Sequence, residues 1–324
     1  MITTQKIKID IQNPEPEIIL RAANLIKAGE IVAFPTETVY GLGADALNSD
    51  AVKKIFIAKG RPQDNPLILH VSDLNQVSEL VFTNDTAKAL MQKFWPGALT
   101  LVMNAKEVVP LQTRGNLSTA AVRMPDNKIA LSLISSAGVP IAAPSANLSG
   151  KPSPTDAQSV FDDMNGKINL ILDGGATNYG IESTVIDITD EKNILLLRPG
   201  SIARENIEKF LDMPLNSPDK NNLKRSPGTR YKHYSPNIPV YIWGQKNFSE
   251  SELKSAGFIG MHEPEKIFKE QIIFNSPEDY AHGLFSGFRK LESDGVNFIL
   301  AELPLNSGIG LGLTDRIRRA AGVC

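Results

Sequence analysis

The sequence predicts an α/β protein built from two unequal units. Three observations carry this reading. Short apolar, strand-like runs alternate with amphipathic, helix-like segments through residues 1–212. A stretch rich in proline and cations and poor in aliphatics then breaks the rhythm over 213–237. The alternation resumes, on a smaller scale, over 238–324. Interleaved strands and helices imply a layered α/β or mixed sheet. The length of 324 residues fits two domains, since a domain spans roughly 100–200 residues.

The elements follow in order. The first ten residues alternate apolar and polar side chains, as a short strand does. The segment from Pro14 to Ala28 aligns Ile18, Ala22 and Leu25 beside Ile19, Ala23 and Ile26 on one helix face. Asn13 is its expected cap and Gly29 its expected end. Ile31–Phe34 reads as a buried strand stopped by Pro35, and Ser49 as the cap of a helix over Asp50–Lys59. Strands are expected at Leu67–Val71, Leu99–Met103, Thr119–Met124, Val139–Ala143, Ile168–Leu172, Thr184–Ile188 and Ile194–Arg198. Helices are expected at Asp85–Phe94, Asn127–Ala137 and Thr155–Met164. The second unit offers strands at Pro239–Trp243, Gly257–Met261, Gln271–Asn275 and Asn297–Glu302. Its helices are Glu250–Ser255, Pro277–Glu292 and Thr314–Ala321. Four short strands with helices suit a small Rossmann-like domain.

Composition excludes several classes. Hydrophobic residues make up 42% and charged residues 22%, the usage of a globular chain. The net charge of −2 speaks against a polybasic nucleic-acid binder. One cysteine, Cys324, permits no internal disulfide and fits a reducing compartment. The four histidines, at 70, 233, 262 and 282, show no metal-ligand spacing. No apolar run approaches the ~20 residues of a membrane span, and the opening residues lack a signal-peptide pattern. A cytoplasmic protein is expected.

Four patches carry candidate chemistry. Pro35–Gly43 follows a strand and offers Thr36, Glu37, Thr38 and Tyr40 with two glycines. It reads as a ligand loop at a strand's carboxyl end, or as turn geometry between a strand and a helix. Lys59-Gly-Arg61 with Asn65 lies on a proline-stiffened loop suited to polyanions. Lys59 taken alone better suits a helix dipole, and the two readings stand even for Lys59 and Arg61 together with Asn65. Arg123, inside an apolar strand, needs an ion-pair partner or an anionic ligand. Ser145 and Asn147, two apart at a strand end, can face one pocket. Nearby Thr155 or Asp156 reads as a helix cap. His70 in its apolar strand reads first as a hydrogen-bonded core residue. Glu182-Ser183-Thr184 and Arg198-Pro-Gly200 repeat the theme of polar or cationic residues at strand termini. The inventory suits phosphates and a small zwitterion held without a covalent nucleophile. No P-loop or protein-kinase signature is present.

Pro35–Gly43, Lys59-Gly-Arg61 with Asn65-Pro-Leu67, Ala121–Pro125, Ala143–Asn147 and Glu182–Thr184, in this order, resemble the YrdC-like domain. Tyr231–Pro236 and the second α/β run resemble its two-domain members, the L-threonylcarbamoyladenylate synthases. The resemblance implies a twisted open mixed sheet around a deep, basic, concave cavity, with a smaller Rossmann-like C-terminal domain. It implies a catalytic domain over 1–212, a linker over 213–237 that acts as a lid, and a second domain over 238–324. The implied reaction converts L-threonine, bicarbonate and ATP to threonylcarbamoyl-AMP and pyrophosphate, with Mg²⁺ accompanying ATP. A downstream complex would move the threonylcarbamoyl group to tRNA, with at most a weak tRNA contact here. Mapped by motif, Lys59 and Arg61 would be catalytic. Arg61, Asn65, Thr119, Ser145, Asn147, Ser153, Arg198 and Tyr234 would bind ATP. Thr38, His70, Arg123, Ala143 and Ser183 would bind threonine. No residue is implied as a metal ligand. Two rivals are a double-stranded RNA or tRNA module without catalysis, and the chemistry of hydrogenase-maturation carbamoyltransferases. The latter's acylphosphatase and zinc-finger segments are missing from this sequence.

Overall fold

Two sheets organise the chain in a computed structural model that describes residues 2–219, 222–226 and 233–323. Tyr231 and the central part of the expected linker lie outside these residues. The larger sheet holds β1 (Gln5–Lys8), β2 (Val32–Phe34), β3 (Gly41–Asp45), β4 (Ile68–His70), β5 (Val81–Phe82) and β6 (Leu99–Ala105). It also holds β7 (Thr119–Arg123), β8 (Ile141–Ala142), β9 (Leu170–Asp173), β10 (Thr184–Asp187) and β11 (Leu195–Arg198). Its order is β1-β9-β2-β3-β8-β4-β7-β6-β10-β11, with β5 paired to β6. Pairing is mixed: β4 runs parallel to β7, while β2–β3, β3–β8 and β6–β7 are antiparallel.

Helices α1 (Pro16–Lys27), α2 (Ser49–Lys59), α3 (Leu74–Leu80), α4 (Asp85–Phe94), α5 (Lys128–Ala137), α6 (Ala157–Met164) and α7 (Arg204–Leu211) accompany this sheet. Apolar side chains of α1 and α5, including Ile19, Ile26, Leu133 and Ile134, form one core with Val32, Phe34 and Leu170. A second core gathers Val52, Ile55, Leu69, Leu90, Leu101 and Val160.

The smaller sheet is wholly parallel, as expected of a helix-covered sheet. It orders β12 (Val240–Ile242), β15 (Ile299–Ala301), β13 (Gly257–Gly260) and β14 (Glu270–Ile273). Helices α8 (Glu250–Leu253), α9 (Pro277–Ser293) and α10 (Ile309–Ala321) complete this unit. Its core contains Phe285, Phe288, Ile299 and Leu313, and Val39, Ile181 and Tyr234 join the same cluster.

Several expectations change. Asn48, not Ser49, caps α2, its side chain accepting from the amides of Asp50 and Ala51. Asn13 caps nothing; α1 begins at Pro16 with Glu15 as its boundary residue. Glu15 is engaged elsewhere, its carboxylate accepting the Asp10 amide at 3.1 Å. The Pro35–Gly43 loop leads to strand β3, not to a helix. Glycines hide that strand from pattern reading. They are needed there because a Cβ on Gly43 would stand 2.6 Å from the Phe34 ring and 2.7 Å from Ile141. Helices α3 and α7 were not expected; both are short, and α7 buries only Ile207.

Candidate active site

The site forms where β4 and β7 end together. Their parallel register sets His70 opposite Arg123. Backbone hydrogen bonds draw the β2–β3 loop and the loop after β8 alongside. Leu42 N donates to Pro144 O at 2.8 Å, and Ala146 N to Tyr40 O at 2.8 Å. The cavity between these loops has a volume of about 60 Å³ and opens to solvent.

Thr38, Arg61, His70, Arg123, Ala143, Ser145, Asn147, Ser183, Arg198 and Tyr234 line the cavity together. Lys59, Asn65, Thr119 and Ser153 do not line it. Lys59 is buried beneath, its Nζ donating to Ser145 O at 2.5 Å and to Asn147 O. It therefore braces the loop that carries Ser145 and Asn147. Burial, and then the charge of Arg61, push its ammonium well below the usual lysine range. Ser153 Oγ donates to Glu182 Oε1 at 2.5 Å, one layer out. Asn65 is buried in the loop behind Arg61. Thr119 opens β7, the end opposite Arg123.

Arg123 has both fates the sequence allowed. Its Nη2 lies 2.5 Å from Glu37 Oε1 in a fully buried pair, and its Nη1 donates to Thr38 Oγ1 at 3.0 Å. It also faces the cavity. Arg198 donates through Nε and Nη2 to Ser183 O, at 3.2 and 2.9 Å. Ser183 Oγ meets Thr100 Oγ1 at 2.8 Å. Ser145 Oγ donates to Asn147 Oδ1 at 2.5 Å. Burial and the Arg123 charge lower the His70 imidazole to about 3, so it is neutral in ordinary buffers. Its Nδ1 is buried without a hydrogen-bond partner.

Sequence reasoning placed neither Glu182 nor His233 among the site residues, yet both line the cavity. Burial opposes the Glu182 charge, but Arg316 and Arg198 outweigh it and hold the carboxyl below its usual range. Arg316 Nε donates to Glu182 Oε2 at 2.7 Å. Burial, then the charges of Arg61, Arg319 and Lys59, lower His233 to about 3. A signal for Glu182 did exist: a carboxylate preceding a buried strand, in a chain whose candidates include Lys59, Arg61, Arg123 and Arg198, needs a cationic partner. Tyr234 has φ +65 and stacks on Phe285 at 5.3 Å, so packing fixes it in a conformation that a non-glycine residue seldom adopts.

Comparison with known proteins extends this picture. A family model described as "Telomere recombination" matches residues 24–200. One described as "Threonylcarbamoyl-AMP synthase, C-terminal domain" matches residues 202–322. A threonylcarbamoyl-AMP synthase of Bacillus subtilis is 42% identical, covering 97% of this chain and 95% of its own. One of Pyrococcus abyssi is 44% identical, covering 93% of each chain. The crystal structure of P. abyssi Sua5 complexed with L-threonine superposes with a TM-score of 0.88 at 41% identity, covering 100% of this chain and 98% of that one. With both models matched in series and the likeness running nearly end to end, the chain belongs to the threonylcarbamoyl-AMP synthase family, in its two-domain branch.

Proposed function

We propose that this chain joins L-threonine, bicarbonate and ATP into threonylcarbamoyl-AMP, releasing pyrophosphate. The observation that carries the reading is one cavity where the guanidinium groups of Arg61, Arg123 and Arg198 meet the hydroxyls of Thr38, Ser145 and Ser183. Three cations around a recessed space suit a triphosphate and an amino-acid carboxylate. A recessed pocket of that kind suits small anions better than the broad face of an RNA helix. Bicarbonate gives up hydroxide to leave CO₂, the threonine amine attacks that carbon, and the proton the amine loses makes water with the hydroxide. A carbamate oxygen then attacks the α-phosphorus, and pyrophosphate departs.

On this reading Arg61 and Arg198 neutralise charge that builds on the phosphates, with Ser145, Asn147 and Tyr234 beside the nucleotide. Lys59 contributes by holding the Ser145–Asn147 backbone. Asn65, Thr119 and Ser153 support the nucleotide side from outside the cavity lining. Thr38, Arg123, Ala143, Ser183 and His70 form the threonine side. His70, neutral and with a very low pKa, serves as a hydrogen-bond partner and not as the base. Mg²⁺ would accompany ATP and supply charge neutralisation for its phosphates, with no residue of this chain assigned to it. Residues 1–212 form the catalytic unit, 213–237 the linker and 238–324 the second unit, with Tyr234 and Ser235 tying the linker's described end to both. Support for that division is the Ser235 amide donating to Gly150 O at 2.8 Å and Tyr234 stacked on Phe285. The product passes to a tRNA-modifying complex in the cytoplasm. No helix among the described residues is long and apolar enough to cross a membrane.

The test is pyrophosphate release with each substrate left out in turn, together with mass detection of threonylcarbamoyl-AMP. Release that requires threonine and bicarbonate is expected. Release indifferent to either overturns the reading, and tRNA retention without turnover supports the binding-module alternative.

A further inference from the structure

The second unit reaches a cavity-lining carboxylate, Glu182, through Arg316. Arg316 is completely buried, although it belongs to α10 and its guanidinium crosses to the other unit. Its Nε donates to Glu182 Oε2 at 2.7 Å and its Nη1 to Pro199 O at 2.9 Å. Asp315 takes a second bond from Nη1 at 2.7 Å. The Tyr234 ring lies 5.3 Å from the guanidinium carbon. Thus one guanidinium touches a cavity carboxylate, a cavity aromatic ring and the strand end that bears Arg198.

The backbone makes this approach possible. A Cβ on Gly312 would come within 2.9 to 3.1 Å of Gly200 main-chain atoms, so α10 presses directly on the Arg198–Gly200 segment. Packing thereby accounts for Gly312, while Gly308 has a positive φ of 57° and its amide faces Glu205 Oε1 at 3.3 Å.

We infer that Arg316 is a positioning residue for the nucleotide half of the reaction, holding the Glu182 carboxylate away from Arg198. Glu182 is a buried anion in a site that must receive a polyanion. Paired with Arg316 and Ser153, it is fixed in place. Without Arg316, its strongest remaining cationic neighbour is Arg198, whose charge already bears on it. A carboxylate drawn onto Arg198 would compete with ATP phosphates for that guanidinium. Arg289 offers an internal comparison. It also crosses between units, to Asp163 at 2.9 Å and to Pro152 O at 2.7 Å, but neither of those partners lines the cavity, whereas Glu182 and Tyr234 do.

This inference rests on the synthase reading, and threonine-dependent pyrophosphate release by the unaltered chain, run alongside, separates a failure of that reading from a failure of this one. The experiment compares R316K, R316Q, E182Q and R289Q in the full chain. Calorimetric binding of a non-hydrolysable ATP analogue is measured beside KM and kcat. For R316K and R316Q, ATP-analogue affinity falls about tenfold or more while KM for threonine stays within about twofold. Adding E182Q to R316Q restores much of that affinity, because the unpaired anion is gone. R289Q leaves both constants near those of the unaltered chain. If R316Q does not fold, R316K and the E182Q/R316Q pair still decide. Folded R316K with unaltered ATP-analogue affinity overturns the inference, as does a double variant no better than R316Q or R316K alone.

Discussion

At the scale of single residues, the two buried histidines and the cavity arginines make opposite demands. His70 and His233 are both lowered to about 3 by burial and neighbouring cations. The unfolded chain therefore binds protons that the native chain refuses. Stability is intact above about pH 6.5 and is lost as pH falls toward the native value, by about 1.4 kcal/mol per pH unit per histidine. Melting temperature against pH should fall steeply below 6.5, and His70→Gln should make that slope shallower by about one proton. A second expectation concerns Arg61, whose Nη2 donates to Pro66 O at 3.2 Å. Arg61→Ala should cut pyrophosphate release by at least about a hundredfold, the scale of losing a charge-stabilising donor, with little change in melting temperature. Much of this level was legible in the sequence, since Ser145 and Asn147 sit two apart at a strand end and do face one pocket. The Arg316–Glu182 pair was not, because its partners stand 134 positions apart and no local pattern links them. In the structure Arg316 shares the buried face of α10 with Leu313, Ile317 and Ala320.

At the scale of elements, caps and glycines decide where the site residues point. Asn127, expected as the first helical residue, instead caps α5, and Asp156, one of two caps the sequence offered, caps α6. The strands beside the cavity are short, and their register places His70 and Arg123 on one line. Pattern reading found most strands because their apolar runs are continuous, but not β3, whose sequence Gly-Leu-Gly-Ala-Asp contains two glycines. Contact between α10 and the end of β11 makes its own prediction. Gly312→Ala should force that helix off Gly200, destabilising the chain by about 1–3 kcal/mol, the usual scale of overpacking. ATP affinity should weaken as well. Chemical denaturation and analogue binding on the same variant check both effects.

At the scale of the whole molecule, the two units share apolar core. Val39 and Ile181 belong with Phe285, Phe288 and Leu313 in one cluster. A Cβ on Gly180 would stand 2.4 Å from the His282 Cα, so the units meet backbone against side-chain-free backbone. Such an interface should not separate on heating before either unit melts. Scanning calorimetry of the full chain is expected to give a single transition, with calorimetric and van't Hoff enthalpies in agreement. Two resolved transitions would contradict it. Composition hinted at two units but not at how closely they join, because Gly180, Gly200 and Gly312 carry no hydrophobic signal.

The Arg316–Glu182 pair also has a consequence in time. During synthesis, Glu182 leaves the ribosome more than a hundred residues ahead of its partner. The sheet around the cavity can pair before then, yet it does so with a carboxylate aimed at an absent guanidinium. A nascent chain halted ahead of α10 should thus carry a nearly finished pocket that binds nucleotide poorly. Activity would switch on as translation delivers that helix, and not gradually as the sheet grows.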